Sequence, residues 1–151
     1  MSAYTELFAE LVGLEIELWG RLDVLLTEET GVSVAQLQAL RALASREGAA
    51  RVQDVSDELQ ITVGAASKLV DRLDRDGLAE RAAHPTDRRS MVIALTEEGV
   101  SAYRRAEDAS SRILQELLSG GLSKARAGEL TGVLASVRAT LSADADAGAR
   151  A

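Results

Sequence analysis

The chain has 151 residues, a formal net charge of −7, one histidine and no cysteine. That length fits one domain with a sizeable core. The absent cysteine excludes disulfides, thiolate metal sites and thiol redox switches, and a lone histidine (His84) argues against structural zinc. No run of about eighteen apolar residues occurs, and Met1-Ser2-Ala3-Tyr4-Thr5-Glu6 lacks the basic start of a signal peptide. A cytoplasmic protein with no cofactor, no metal and no membrane partner is expected.

Residues from about Tyr4 to Thr27 are predicted as one amphipathic helix. Leu7, Leu11, Leu14, Leu18, Leu22 and Leu25 recur at steps of three or four, and Phe8, Val12, Ile16 and Trp19 form a second stripe beside them. So wide an apolar arc needs two surfaces, an intrachain core on one side and a second copy of the chain on the other. Glu28-Glu29-Thr30-Gly31 ends this helix. Ser33-Val34-Ala35-Gln36 is a capping box. It opens a helix with Leu37, Leu40 and Leu43 on the buried side, ending near Ala44 or Ser45. Glu47-Gly48-Ala49-Ala50 predicts a turn into a short extended segment.

A third helix carries Val52, Val55 and Leu59, Gln60-Ile61 makes a bend, and Thr62 is placed to cap the next helix. A short helix, a tight turn and a longer helix make a helix-turn-helix. In the second of the pair, Thr62 to Asp76, the residues Ala66, Leu69, Val70 and Leu73 face the core. Ala65, Lys68, Arg72 and Arg75 face solvent, and Gly77 is the stop. Leu78 to Ala83 and Ser90 to Leu95 switch to a period of two, with Met91, Ile93 and Leu95 on the buried side of a hairpin. Its tip, His84-Pro85-Thr86-Asp87-Arg88-Arg89, holds the only proline.

Thr96-Glu97-Glu98 starts a helix that runs to about Ser119 through Val100, Tyr103, Ala106, Ile113, Leu114 and Leu117. Gly120-Gly121 breaks it. The last helix, Ser123 to about Leu141, sets Leu130, Leu134, Val137 and Leu141 in a coiled-coil-like seam. Ala143 to Ala151 lacks a pattern and reads as a flexible tail. The expected class is mainly α with a small β-hairpin. It is a single winged helix-turn-helix domain over 1–151, with a DNA-binding lobe over about 33–96 and dimerisation helices over about 4–27 and 97–142.

Phosphate neutralisation needs cations. Between Thr62 and Val92 stand Lys68, Arg72, Arg75, Arg81, Arg88 and Arg89 against Asp71, Asp74, Asp76, Glu80 and Asp87, a net of +1 that leaves −8 elsewhere. DNA binding therefore rests on placement, not on total charge. Lys68 and Arg72 are candidates for guanine edges or phosphates, against a solvated face on which they pair with Asp71 or Asp76. Thr62 is a candidate phosphate contact at a helix N-terminus as well as a cap. Arg88 and Arg89 at a hairpin tip are candidates for the minor groove, against solubilising loop charges. Arg46 and Arg51 are phosphate contacts or plain surface charges. Trp19 and Leu22 are candidates for an effector pocket, against the simpler reading of a core tryptophan. His84 beside the wing is a candidate sensor of pH or ligand, against an inert loop histidine. No enzyme constellation is present: there is no cysteine nucleophile, no histidine beside a credible serine and no phosphate-binding glycine loop.

The ordered set Leu69-Val70-Asp71-Arg72-Leu73, Gly77-Leu78-Ala79-Glu80-Arg81, Asp87-Arg88-Arg89-Ser90 and Leu95-Thr96-Glu97-Glu98-Gly99 resembles the MarR family of transcriptional regulators, over essentially the whole chain. The resemblance implies an obligate, triangular homodimer with a winged helix-turn-helix in each arm. Such a protein binds a pseudo-palindromic double-stranded operator, usually as a repressor, and releases it on binding a small ligand, an oxidant or a metal. The cysteine and histidine counts here disfavour the last two. By the same resemblance Thr62 to Asp76 is the recognition helix and Leu78 to Leu95 the wing. The family's wing pair falls on Asp87 and Arg89, with Arg89 entering the minor groove while Asp87 orients its guanidinium. The helix begins Thr62-Val63-Gly64-Ala65-Ala66 where many relatives have Ser-Pro-Ser-Thr. Gly64 and Ala65 bring no hydrogen-bonding side chain to the groove, so readout leans on Ser67, Lys68, groove shape and the wing. A winged-helix protein-interaction module, favoured by the acidic total, and a small-molecule binding protein with little DNA affinity remain as alternatives.

Overall fold

Every helix end leaves backbone amides or carbonyls unpaired, and this chain answers most of them with short polar side chains or left-handed residues. The computed structural model describes residues 2–148. In chain order it contains α1 (Ala3–Thr30), α2 (Val34–Ala44), α3 (Val52–Leu59), α4 (Val63–Arg75), β1 (Ala79–Ala83), β2 (Met91–Leu95), α5 (Glu97–Leu118) and α6 (Lys124–Gly148). Gly31, at φ 74°, caps α1 and donates to Thr27 O at 2.9 Å, so α1 runs three residues past the expected Thr27. The capping box is present: Gln36 N donates to Ser33 Oγ at 3.1 Å and Ser33 N to Gln36 Oε1 at 3.0 Å. Gly77, at φ 72°, closes α4, with Leu78 N donating to Leu73 O at 2.8 Å and Gly77 N to Asp74 O at 3.0 Å. That pair of bonds is a Schellman turn. Because a left-handed backbone disfavours a Cβ, Gly77→Ala is expected to cost about 1 kcal/mol, read as a lower thermal midpoint.

The chain divides into two compact units, Met1–Ile113 and Leu114–Ala151. In the first, Leu26, Leu40, Leu43, Val55, Val70, Leu73 and Ile93 are wholly enclosed. The hairpin is antiparallel, in register from Ala79 opposite Leu95 to Ala83 opposite Met91. Ala50, at the end of the expected turn, pairs with β2 from the far edge, its carbonyl accepting from Ile93 N at 2.8 Å. Arg41 on α2 and Glu107 on α5 pair at 2.7 Å. The Glu107 carboxylate accepting from Arg41 holds its guanidinium above the ordinary pKa; both groups are about half exposed, so the pair adds little stability.

Three expected core patterns are corrected. On α1 the buried residues are Leu22 and Leu26, not Leu25, and residues 2–17 are all exposed. The neighbouring element α2 reaches only the C-terminal end of that helix. On β2, Val92 and Ile93 are both buried while Met91 is exposed. Successive strand residues point to opposite faces, so β2 is covered on both faces at its middle, while Ala94 and Leu95 at the base of the hairpin are half-buried and Met91 at its tip is bare. On α5 the enclosed stripe is Gly99, Ala102, Ala106, Ala109 and Ile113, with Val100 and Tyr103 only half-buried. Small side chains let that helix approach its neighbours closely. In the second unit, Ser123 caps α6 by accepting from Arg126 N at 3.3 Å, and residues 128–143 are exposed, including Leu130, Leu134, Val137 and Leu141. The helix continues to Gly148, past the expected end at Leu141, so the patternless tail is helical over that stretch. Residues 149–151 of that tail lie outside the described residues.

Candidate nucleic-acid interface

The turn between α3 and α4 is built by Gln60, Ile61 and Thr62. Gln60 takes a left-handed backbone, φ 54°, and its Nε2 donates to Asp57 O at 2.7 Å. Ser56, buried on α3, donates its hydroxyl to Ile61 O at 2.7 Å and accepts Ile61 N on its own carbonyl at 3.1 Å. The Thr62 hydroxyl then accepts from Ala65 N at 3.1 Å and starts α4. Ala66, Val70 and Leu73 are buried beneath that helix, with Leu69 half-buried. Its outward face carries Val63, Gly64, Ala65, Lys68, Arg72 and Arg75, with Ser67 half-buried at the margin.

The charges on this face are arranged differently from a solvated helix whose cations and acids pair with each other. Asp71 is taken by Arg81 of β1 at 2.5 Å, and Asp76 accepts from Gln36 Nε2 of α2 at 3.1 Å. The two acids that could have neutralised Lys68 and Arg72 are thus engaged by other elements. Among the described residues, no ion pair holds Lys68, Arg72, Arg75, Arg88 or Arg89. Arg46, by contrast, is tied to Asp54 at 2.6 Å and Glu58 at 3.4 Å. Its reading as a surface charge is the one the geometry favours. Arg51 is exposed, and its backbone N–H donates to Asp54 Oδ2 at 2.7 Å.

At the wing tip, Asp87 Oδ1 accepts from the backbone N–H of Arg89 at 3.1 Å, and Asp87 O from Ser90 N at 3.0 Å. The expected contact of Asp87 with the guanidinium is corrected: at a spacing of two, the carboxylate folds onto the backbone in an Asx turn. It shapes the loop that presents Arg88 and Arg89, both exposed. His84 Nδ1 accepts from Thr86 N at 3.2 Å, which makes the ring part of the same loop scaffold.

Trp19 is 41% exposed and lines a shallow depression with Glu15, Ile16 and Gly20, whereas Leu22 is in the core. That exposure corrects the simpler reading of a core tryptophan within the single chain. A roomier depression of about 440 Å³ opens between α2, β2 and α5, lined by Leu43, Leu95, Val100 and Tyr103, with Glu47 and Arg104 supplying charge.

The model of the MarR family matches residues 30–90, the span from the end of α1 to the wing. Over that span the chain is similar to the MarR family. It is 28% identical over 92 residues to the HTH-type transcriptional repressor MdtR of Bacillus subtilis, covering 61% of this chain and 59% of that one. It is 31% identical over 109 residues to a putative transcriptional regulatory protein for the hcr operon of Thauera aromatica, covering 72% and 64%. The chain spans about half to two thirds of the length of the curated relatives it matches. A crystal structure of a MarR family transcriptional regulator from Silicibacter pomeroyi superposes with a TM-score of 0.77 at 29% identity, covering 91% of this chain and 94% of that one.

Three residues of this lobe escape sequence reasoning. Val63 is 48% exposed at the start of α4; apolar groups of this kind can meet a thymine methyl in the major groove. Its position ahead of Gly64 and Ala65 is visible in the chain, but its exposure is not. Gln36 and Thr96 read as ordinary helix caps, yet both also reach the end of α4.

Proposed function

We propose that the protein is a homodimeric, sequence-specific binder of double-stranded DNA that regulates transcription, most simply as a ligand-responsive repressor and not as an enzyme. The observation that carries this reading is the set of unpaired, exposed cations on α4 and the wing, whose nearby acids are occupied elsewhere. In the proposal, α4 enters the major groove, with Thr62 and the helix N-terminus on phosphate, Ser67, Lys68 and Arg72 on base edges or phosphates, and Gly64 and Ala65 allowing close approach. Arg89, with Arg88 beside it, reaches the adjacent minor groove. The two half-sites of a pseudo-palindromic operator would lie about one helical turn apart.

Pairing of two copies is supported by apolar surface that a single chain leaves bare. On α1, Leu7, Phe8, Leu14 and Ile16 are each at least half exposed; on α6, so are Val133, Val137 and Leu141. Exposed apolar faces of this kind mark an interface. Phe8→Asp is expected to convert a dimer into a monomer, checked by light scattering behind gel filtration. An effector acts in this proposal by binding the α2–β2–α5 depression with unequal affinity for DNA-competent and incompetent dimers. No helix among the described residues is long and apolar enough to cross a membrane, and a cytoplasmic site of action, where the DNA lies, belongs to the same proposal.

The test is fluorescence anisotropy on duplex from the region upstream of the chain's own coding sequence, at two salt concentrations. Nanomolar-range binding that weakens steeply with salt supports the reading. Binding no tighter than to unrelated duplex would refute it, and a monomer without DNA affinity would favour the protein-interaction alternative.

A further inference from the structure

The last turn of α4 is gripped from two directions by residues that do not lie on its outward face. Gln36, only 7% exposed, sits at the N-terminus of α2. Its amide oxygen accepts from Ser33 N at 3.0 Å, and its amide nitrogen donates to Asp76 Oδ2 at 3.1 Å. Asp76 is the C-cap of α4. From the other side, the Thr96 hydroxyl caps α5 by accepting from Gly99 N at 2.9 Å, and donates to Gly77 O at 2.6 Å. Thr96 N adds a bond to Leu78 O at 3.2 Å. Each side chain thus serves two helices at once, and the Thr96 hydroxyl has its donor and one acceptor position used.

The leverage of this grip is large. Thirteen residues of α4 span roughly 20 Å, so a tilt of about 5° at the Asp76 end moves the Thr62 end by roughly 1.7 Å. Hydrogen bonds to base edges tolerate only a few tenths of an ångström. We propose that Gln36 and Thr96 are positioning residues that set the angle at which α4 is presented to the major groove, although neither touches DNA. This rests on the DNA-binding reading above.

The test uses four variants of the full-length protein. Gln36→Glu keeps the acceptor for Ser33 N but sets a carboxylate against Asp76; adding Asp76→Asn restores the hydrogen bond with its direction reversed and returns the net charge to the starting value. Thr96→Val removes the donor to Gly77, and Thr96→Ser retains it. Circular-dichroism melts establish that each variant is folded at the assay temperature. Loss of a hydrogen bond to a charged group corresponds to about tenfold or more in affinity. Accordingly, Gln36→Glu is expected to weaken binding to the specific duplex about tenfold, and Thr96→Val, which loses a bond to the neutral Gly77 carbonyl, by roughly five- to tenfold, with affinity for an unrelated duplex of equal length unchanged. Thr96→Ser and Gln36→Glu/Asp76→Asn should return to within about threefold of the starting protein. A merely destabilising substitution lowers both affinities together, and that outcome overturns the inference. So does a double variant no tighter than Gln36→Glu alone, or single variants that bind as the starting protein does. If the starting protein itself shows no specific binding, the DNA-binding reading fails and takes this inference with it.

Discussion

Replacing Arg72 and Arg89 together with alanine is expected to weaken specific DNA binding by about 2–6 kcal/mol, or roughly thirty- to twenty-thousand-fold. Each arginine stands on its own element, one on α4 and one at the wing tip, so the two effects should come close to adding. The size follows from the absence of competing partners. A cation already paired with a carboxylate must break that pair to meet DNA, whereas Arg72 and Arg89 hold no ion pair among the described residues. Removing one phosphate-neutralising cation should also flatten the dependence of log K on log salt by about 0.9. Anisotropy titrations at four salt concentrations read both quantities. As a contrast, Arg46→Ala removes a cation tied to Asp54 and Glu58 and should change DNA affinity by less than about threefold. A double variant that binds within about threefold of the starting protein would show that α4 and the wing are not the DNA-binding surface.

Gly99→Ala should destabilise the fold by about 3 kcal/mol, seen as a fall of roughly 10 °C in the melting midpoint. A Cβ added at Gly99 would overlap the carbonyl oxygen of Leu78 and lie 2.8 Å from its carbonyl carbon. Flexible side chains yield to such crowding; here the obstacle is backbone. The Leu78 carbonyl also accepts from Thr96 N, so the junction between the end of α4 and the start of α5 must shift as a whole. A serine at the same position carries the same Cβ and should fare no better. If Gly99→Ala melts within about 2 °C of the starting protein, the close approach of α5 to Leu78 is not obligatory.

The parts of the fold legible in the chain are those decided by interactions within a few residues. Ser33 and Gln36 cap each other three positions apart, Thr62 caps α4 through Ala65, and Gly31 and Gly77 take left-handed backbones that favour glycine. Those signals placed the helix-turn-helix and the wing to within a few residues. They also singled out Lys68, Arg72, Arg88 and Arg89, which the structure leaves exposed.

What tertiary structure decided is which of several equivalent residues meets a partner. On α1, Leu25 and Leu26 are equally apolar, and only the direction from which α2 arrives encloses Leu26 and leaves Leu25 39% exposed. The same holds for charge. Asp71 and Asp76 lie close in sequence to Lys68 and Arg72, yet Arg81 and Gln36 claim them from β1 and α2. Asp87 likewise spends its carboxylate on the backbone of Arg89 and not on its guanidinium. Caps and turns are settled by hydrogen bonds that the local backbone must make wherever it lies. Burial and ion pairing depend on elements up to tens of residues away, so only the packed chain determines that α4 keeps its cations free and its C-terminal turn held.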